Sequence, residues 1–421
     1  LRQKTDPAVR AYLEAENAYA DAVLAPIAGL RETLYAEMLG RIKQTDLSVP
    51  YRDGGFFYYT RTEEGKQYPI YCRKRGSLEA PEEVLLDLNQ LAVGQSFMGL
   101  GTFQVSDDGN LLAYSLDTTG FRQYALFVKD LRTGQVLPDR AARTGSVAWA
   151  ADSRTLFYTV EDAAKRQYRL YRHTLGGPDT LLYEERDERF RVGVSRTRSD
   201  AFLVLGVGSL TTSEAWVLPA DQPTGRFRLI APRHQDREYD VDHRGDLFYI
   251  RVNDTGRNFR LVTAPVADPR EQNWRELVPH RPEVMLEGVD LFQDFHVLFE
   301  RADGLPRLVV VDARTRRSRT IPVAEPVYSA APSVNREFAT PLFRYAYQSF
   351  ITPSSIYDYD TRTGRSTLLK RTEVLGGYDP RRYVSERVYA TASDGTRIPV
   401  SLVYRRGLRR DGRAPLFLTA Y

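Results

Sequence analysis

The chain of 421 residues is 42% hydrophobic and 27% charged, enough apolar material for a sizeable core, and no run nears the roughly 18–20 apolar residues of a membrane span. Its 59 Lys+Arg and 55 Asp+Glu leave a net charge of +4; basic groups such as Arg73-Lys74-Arg75 and Arg409-Arg410 are scattered among acidic pairs, which argues against the one-sided basic face of a nucleic-acid binder. The lone cysteine, Cys72, excludes an internal disulfide or a Cys-based zinc site and fits a reducing, cytoplasmic compartment.

The chain begins at Leu1 rather than Met, and the N-terminus is expected to be incomplete. Residues 1–50 read as a helical arm. Asp6 is placed to cap a helix with Pro7 at its first position, where the missing N–H costs nothing. That helix is expected to run to Pro26. A second helix carries Ile27, Leu30, Leu34, Met38 and Ile42 on one stripe, which should lie against a larger body.

From Tyr51 the period becomes that of strands. Similar apolar triplets recur at Phe57-Tyr58-Tyr59, Leu112-Ala113-Tyr114, Phe157-Tyr158-Thr159, Leu203-Val204-Leu205, Phe248-Tyr249-Ile250, Val297-Leu298-Phe299 and Tyr345-Ala346-Tyr347. Polar turns such as Ser106-Asp107-Asp108-Gly109 and His243-Arg244-Gly245-Asp246 precede several of them. Second strands (Ala125-Leu126-Phe127-Val128, Leu308-Val309-Val310-Val311) and turns of the form Asp130-Leu131-Arg132-Thr133-Gly134 follow. Strand and turn repeating every 40–50 residues is the pattern of β-propeller blades. The fold is expected to be mainly β, a seven-bladed propeller over residues 51–377.

Residues 378–421 change character. Alternation over 384–391, a Ser393-Asp394-Gly395 turn and a strand at 398–404 lead to Pro415-Leu416-Phe417-Leu418-Thr419-Ala420-Tyr421. A run so nearly apolar suits a strand buried on both faces, as in a parallel α/β sheet.

No G-x-S-x-G, Walker loop or G-x-G-x-x-G occurs. Gly99-Leu100-Gly101 and Gly206-Val207-Gly208 are strand glycines. The five histidines, His173, His234, His243, His280 and His296, have no second His or Cys at ligand spacing, so no metal site and no cofactor is expected. Asp240, Asp242 and His243 cluster at a strand-to-turn junction, where Asp usually satisfies backbone groups. Cys72 reads as a small packed residue.

Residues 51–74, YRDGGFFYYTRTEEGKQYPIYCRK, together with Glu14-Ala15-Glu16-Asn17-Ala18-Tyr19, closely resemble the oligopeptidase B (protease II) branch of the prolyl oligopeptidase family of serine peptidases. The strand pair at 384–404 looks like the same family's lead into its hydrolase domain. The resemblance implies a propeller covering an α/β-hydrolase domain and acting as a size filter. It implies short basic peptides as substrates, cut after Arg or Lys by a Ser-Asp-His triad. That triad would lie beyond Tyr421, with 378–421 the first strands of the hydrolase domain. By the same resemblance Tyr421 matches a tyrosine whose hydroxyl joins the oxyanion hole. A non-catalytic binding propeller, or an inactive truncated homologue, is the alternative.

Overall fold

The computed structural model describes Gln3 and residues 5–420. The arm forms as the sequence dictates. Helix α1 (Pro7–Leu24) starts at Asp6, whose carboxylate accepts the Ala8 N–H at 2.8 Å. Pro26 converts the chain to a single 3₁₀ turn, Ala25–Ile27, and helix α2 (Ala28–Gly40) follows. Neither helix buries a residue. Leu30 is 57% exposed and Met38 61%, so the body expected to cover this stripe is not among the described residues. No described helix is long and apolar enough to cross a membrane.

Antiparallel sheets arranged in a ring make up the centre of the chain. In order they are a five-stranded sheet within Asp46–Asp87, a seven-stranded sheet from Gly99 to Glu184, and four four-stranded sheets ending at Arg371. Each recurring apolar triplet lies in the second strand of its repeat unit and contributes at least one buried side chain. These strands have ladder partners on both edges and a sheet neighbour on each face, which is why they are the most apolar. Buried residues from adjoining sheets interleave: Phe202, Val204 and Val217 meet Phe248, Ile250 and Val262, and Val297, Leu308 and Val310 meet Phe343, Tyr345 and Tyr359. Burying one such side chain stabilises by roughly 1.5–3 kcal/mol.

The expectation of seven separate blades is corrected by the hydrogen bonding. Five sheets stand alone as blades; the span of 99–184 is one continuous sheet. The physical reason is the strand Val136–Trp149, 14 residues long. Its first part pairs with Tyr124–Asp130 and its second with Thr155–Glu161, so the ladder never breaks.

The turns between third and fourth strands repeat one device. Asp130 accepts the Arg132 N–H at 2.9 Å, and Asp360 accepts the Arg362 N–H at 2.8 Å. Gly134 and Gly364 then take φ of 76° and 71°, which a side chain would strain.

The ring closes between the last sheet and the first without any shared strand pairing. The face of the first sheet at this seam offers only a small buried cluster, Tyr59, Ile70 and Cys72. Polar groups bridge the joint. Arg344 donates to the Pro50 carbonyl at 2.7 Å while holding Asp358 through Nε at 2.8 Å and Nη2 at 3.0 Å. Lys370 reaches Asp46 at 2.5 Å and also the Leu47 carbonyl.

Beyond the ring, strands Tyr383–Thr391 and Arg397–Arg405 form the expected hairpin. It leans on the propeller through Arg387, which donates to the Asp303 carbonyl. Residues 415–420 form no strand, against expectation, and Phe417 is 91% exposed. A two-face-buried strand needs paired neighbours, and none is present among the described residues.

Replacing Arg344 with Ala removes the Pro50 bond and leaves Asp358 without its cation. Hydrogen bonds to charged groups are worth about 1.5–3 kcal/mol, and a loss of that size is expected in denaturant unfolding. A change below about 0.5 kcal/mol, the ordinary scatter of surface substitutions, would show that the seam does not depend on Arg344.

Candidate functional site

The inner strand of every repeat runs towards the same end of the ring, because each sheet is antiparallel and begins at its inner edge. The turns that follow converge there. They surround a cavity of about 840 Å³ on the ring axis, lined among others by Asp53, Asp107, Ser146, Arg196, Arg198, Asp242, Asp290 and Arg336. By the same strand count, the arm and the terminal hairpin leave the ring at the opposite end.

The lining is polar and its charges are paired across sheets. Arg196 donates to Asp107 at 2.6 Å. Arg198 donates to Asp290 and to the Asn335 carbonyl, and its guanidinium lies 5.1 Å from the centre of the Phe292 ring. Asp242 accepts the backbone N–H groups of Arg198 and His243, both at 2.8 Å. Burial nevertheless raises its pKa to about 6, only partly offset by those bonds. Burial raises Asp290 as well, against the pull of Arg198.

The structure disperses the other candidate residues. His173 is held between Asp139 at 2.8 Å and Asp179 at 2.9 Å on the outer part of the seven-stranded sheet. His243 is buried beside Ser199 at 2.7 Å. Burial lowers the pKa of His296 to about 4. Cys72 is 1% exposed, its thiol pushed up to about 11 by burial. Gly101 sits in a strand where a Cβ would meet the Tyr124 ring at 2.6 Å, a packing role. No group of three or more His, Cys, Asp or Glu among the described residues could hold a metal. Tyr421 lies outside the described residues. Sequence reading missed Arg196, Arg198, Asp290 and Arg336; the one signal available was the arginine pair in Ser195-Arg196-Thr197-Arg198, too short to separate from a solvated turn.

Residues 1–372 match the family model described as prolyl oligopeptidase, N-terminal beta-propeller domain. The chain belongs to the prolyl oligopeptidase family. Among curated members, dipeptidyl aminopeptidase BI of Pseudoxanthomonas mexicana is 43% identical, the match covering 98% of this chain and 60% of that protein. Protease 2 of Moraxella lacunata is 32% identical over 100% of this chain and 62% of that protein. Oligopeptidase B from Leishmania major superposes with a TM-score of 0.91 at 32% identity, covering 98% of this chain and 60% of that one. The chain thus spans about three-fifths of the length of these relatives.

The channel charge can be titrated. A carboxyl whose pKa is raised by folding holds its proton more tightly in the fold than in the unfolded chain. Its favourable contribution is full below the ordinary carboxylate pKa of 3.8 and is lost as pH rises through about 6. Asp242→Asn keeps an oxygen for both amides and cannot ionise. It is expected to melt higher than the parent at neutral pH, the gap shrinking between about pH 6 and pH 4. Parallel melting curves at every pH would refute an elevated Asp242.

Proposed function

We propose that this chain is the propeller part of an oligopeptidase B-like serine endopeptidase that cuts short peptides after Arg or Lys, with the propeller as size filter. The observation that carries the reading is the match along 98% of the chain to oligopeptidase B at 32% identity. The charged side chains that bridge the axis support the filter. A hydrolase domain following residue 421 would supply serine nucleophile, histidine base and orienting aspartate. The uncovered stripes of α1 and α2 and the apolar run at 415–420 supply surfaces on which such a domain would seat. A cytoplasmic location is in keeping with the single buried thiol.

A second reading, release of dipeptides from a free N-terminus, is favoured by the 43% identity to dipeptidyl aminopeptidase BI. Paired substrates separate the two. The 421-residue chain is expected to leave Arg-linked chromogenic peptides intact, since it holds no G-x-S-x-G. The longer protein should cleave them whether or not the N-terminus is blocked. Cleavage only of unblocked peptides would establish the dipeptidyl reading, and no cleavage by the longer protein would favour a non-catalytic binding propeller.

In the longer protein Tyr421 is proposed as an oxyanion donor. Tyr421→Phe keeps the ring and removes one hydroxyl, so kcat should fall roughly a hundredfold to a thousandfold with KM little changed. A normal kcat would reduce Tyr421 to a packing residue.

A further inference from the structure

We propose that Arg198 is a bolt drawn across the axial channel, shutting the end of the propeller that faces away from the arm and the terminal hairpin. Arg198 stands in the turn between Arg191–Arg196 and Phe202–Gly208 of the third sheet. Of its guanidinium partners, Asp290 lies in the first strand of the fifth sheet and Asn335 in the connection between the first two strands of the sixth. In a ring, a side chain can reach sheets two and three places away only by passing over the axis.

The root of the bolt is fixed from the intervening fourth sheet, where Asp242 accepts the Arg198 N–H. Its head rests against Phe292, and the side chain is 19% exposed. A planar guanidinium can serve a carboxylate and a carbonyl at once, which an ammonium cannot do with the same geometry. Arg196, two residues earlier, turns the other way to Asp107 on the second sheet. The mouth is therefore spanned on both sides from one turn, and Arg198 supplies the longer span.

If the peptidase reading holds, peptides reach the interior from the arm side and not through this mouth; that consequence rests on the proposed function, while the bolt itself does not. The test therefore needs no turnover. Ser195 is an exposed channel-lining residue whose side chain makes no hydrogen bond in the structure. Ser195→Cys places a thiol just inside the mouth, and buried Cys72 does not compete for reagent.

The labelling rate of the introduced thiol is measured with iodoacetamide and with a bulkier maleimide, in the Ser195→Cys protein alone and combined with Arg198→Ala, Arg198→Lys or Asp290→Asn. Reagent arriving by the opposite mouth contributes equally to all variants. Arg198→Ala is expected to raise the bulky-reagent rate several-fold, Arg198→Lys and Asp290→Asn by less, with melting temperature recorded on each preparation. An unchanged rate in folded Arg198→Ala overturns the bolt even if the melting temperature drops. Should that variant fail to fold, unchanged rates in both Arg198→Lys and Asp290→Asn do the same. In the longer, active protein, a normal rate of short-peptide cleavage with a relaxed size limit would extend the result to function; loss of all cleavage would bear on the peptidase reading alone.

Discussion

An antiparallel sheet with large aliphatic and aromatic side chains on both faces has no stable existence by itself. Each sheet here solves the problem by lying face to face with the next, and a ring is the arrangement that leaves neither end of the stack bare. Most joints are filled with side chains such as Phe157, Phe248 and Phe343, all fully buried. The joint between last and first sheets is different. It has little apolar filling, and Arg344 and Lys370 do there what interleaved side chains do elsewhere.

The axis follows from the same constraint. Inner strands set around a ring leave their edges facing a shared space, and that space must be either wide and wet or crossed by polar groups that satisfy one another. This propeller takes the second course. Arginines and aspartates from different sheets meet over the axis, and Asp242 and Asp290 are held where water solvates them poorly, which is why both protonate more readily than usual.

The sequence made the repeat legible because the second strand of each unit has the same job throughout. Tyr58, Ala113, Tyr158 and Val204 all sit buried on a surface covered from both sides. The turns were legible for a related reason, Asp130 and Asp360 each folding the chain back on its own amides. What stayed hidden was long-range. Nothing local in Val136–Trp149 announces that one strand will serve both its neighbours. The meeting of Arg198 with Asp290, 92 residues on, depends on how the ring curves. The apolar run at 415–420 and the stripe of α2 were read as buried because pattern reports what a segment demands; it does not report whether the partner is at hand.

The first and last strands of the ring leave it side by side: the Leu375 N–H lies 3.4 Å from the Arg41 carbonyl, and Lys43 pairs with Glu373 at 3.3 Å. Mechanically the ring is a split washer. A pull between the arm and the terminal hairpin would not shear the ladders within sheets, where many hydrogen bonds share a load; it would peel the seam, where a few side chains carry it in turn. Anything that moves the flanking segments apart therefore acts first on the one joint whose two sheets are not consecutive in the chain.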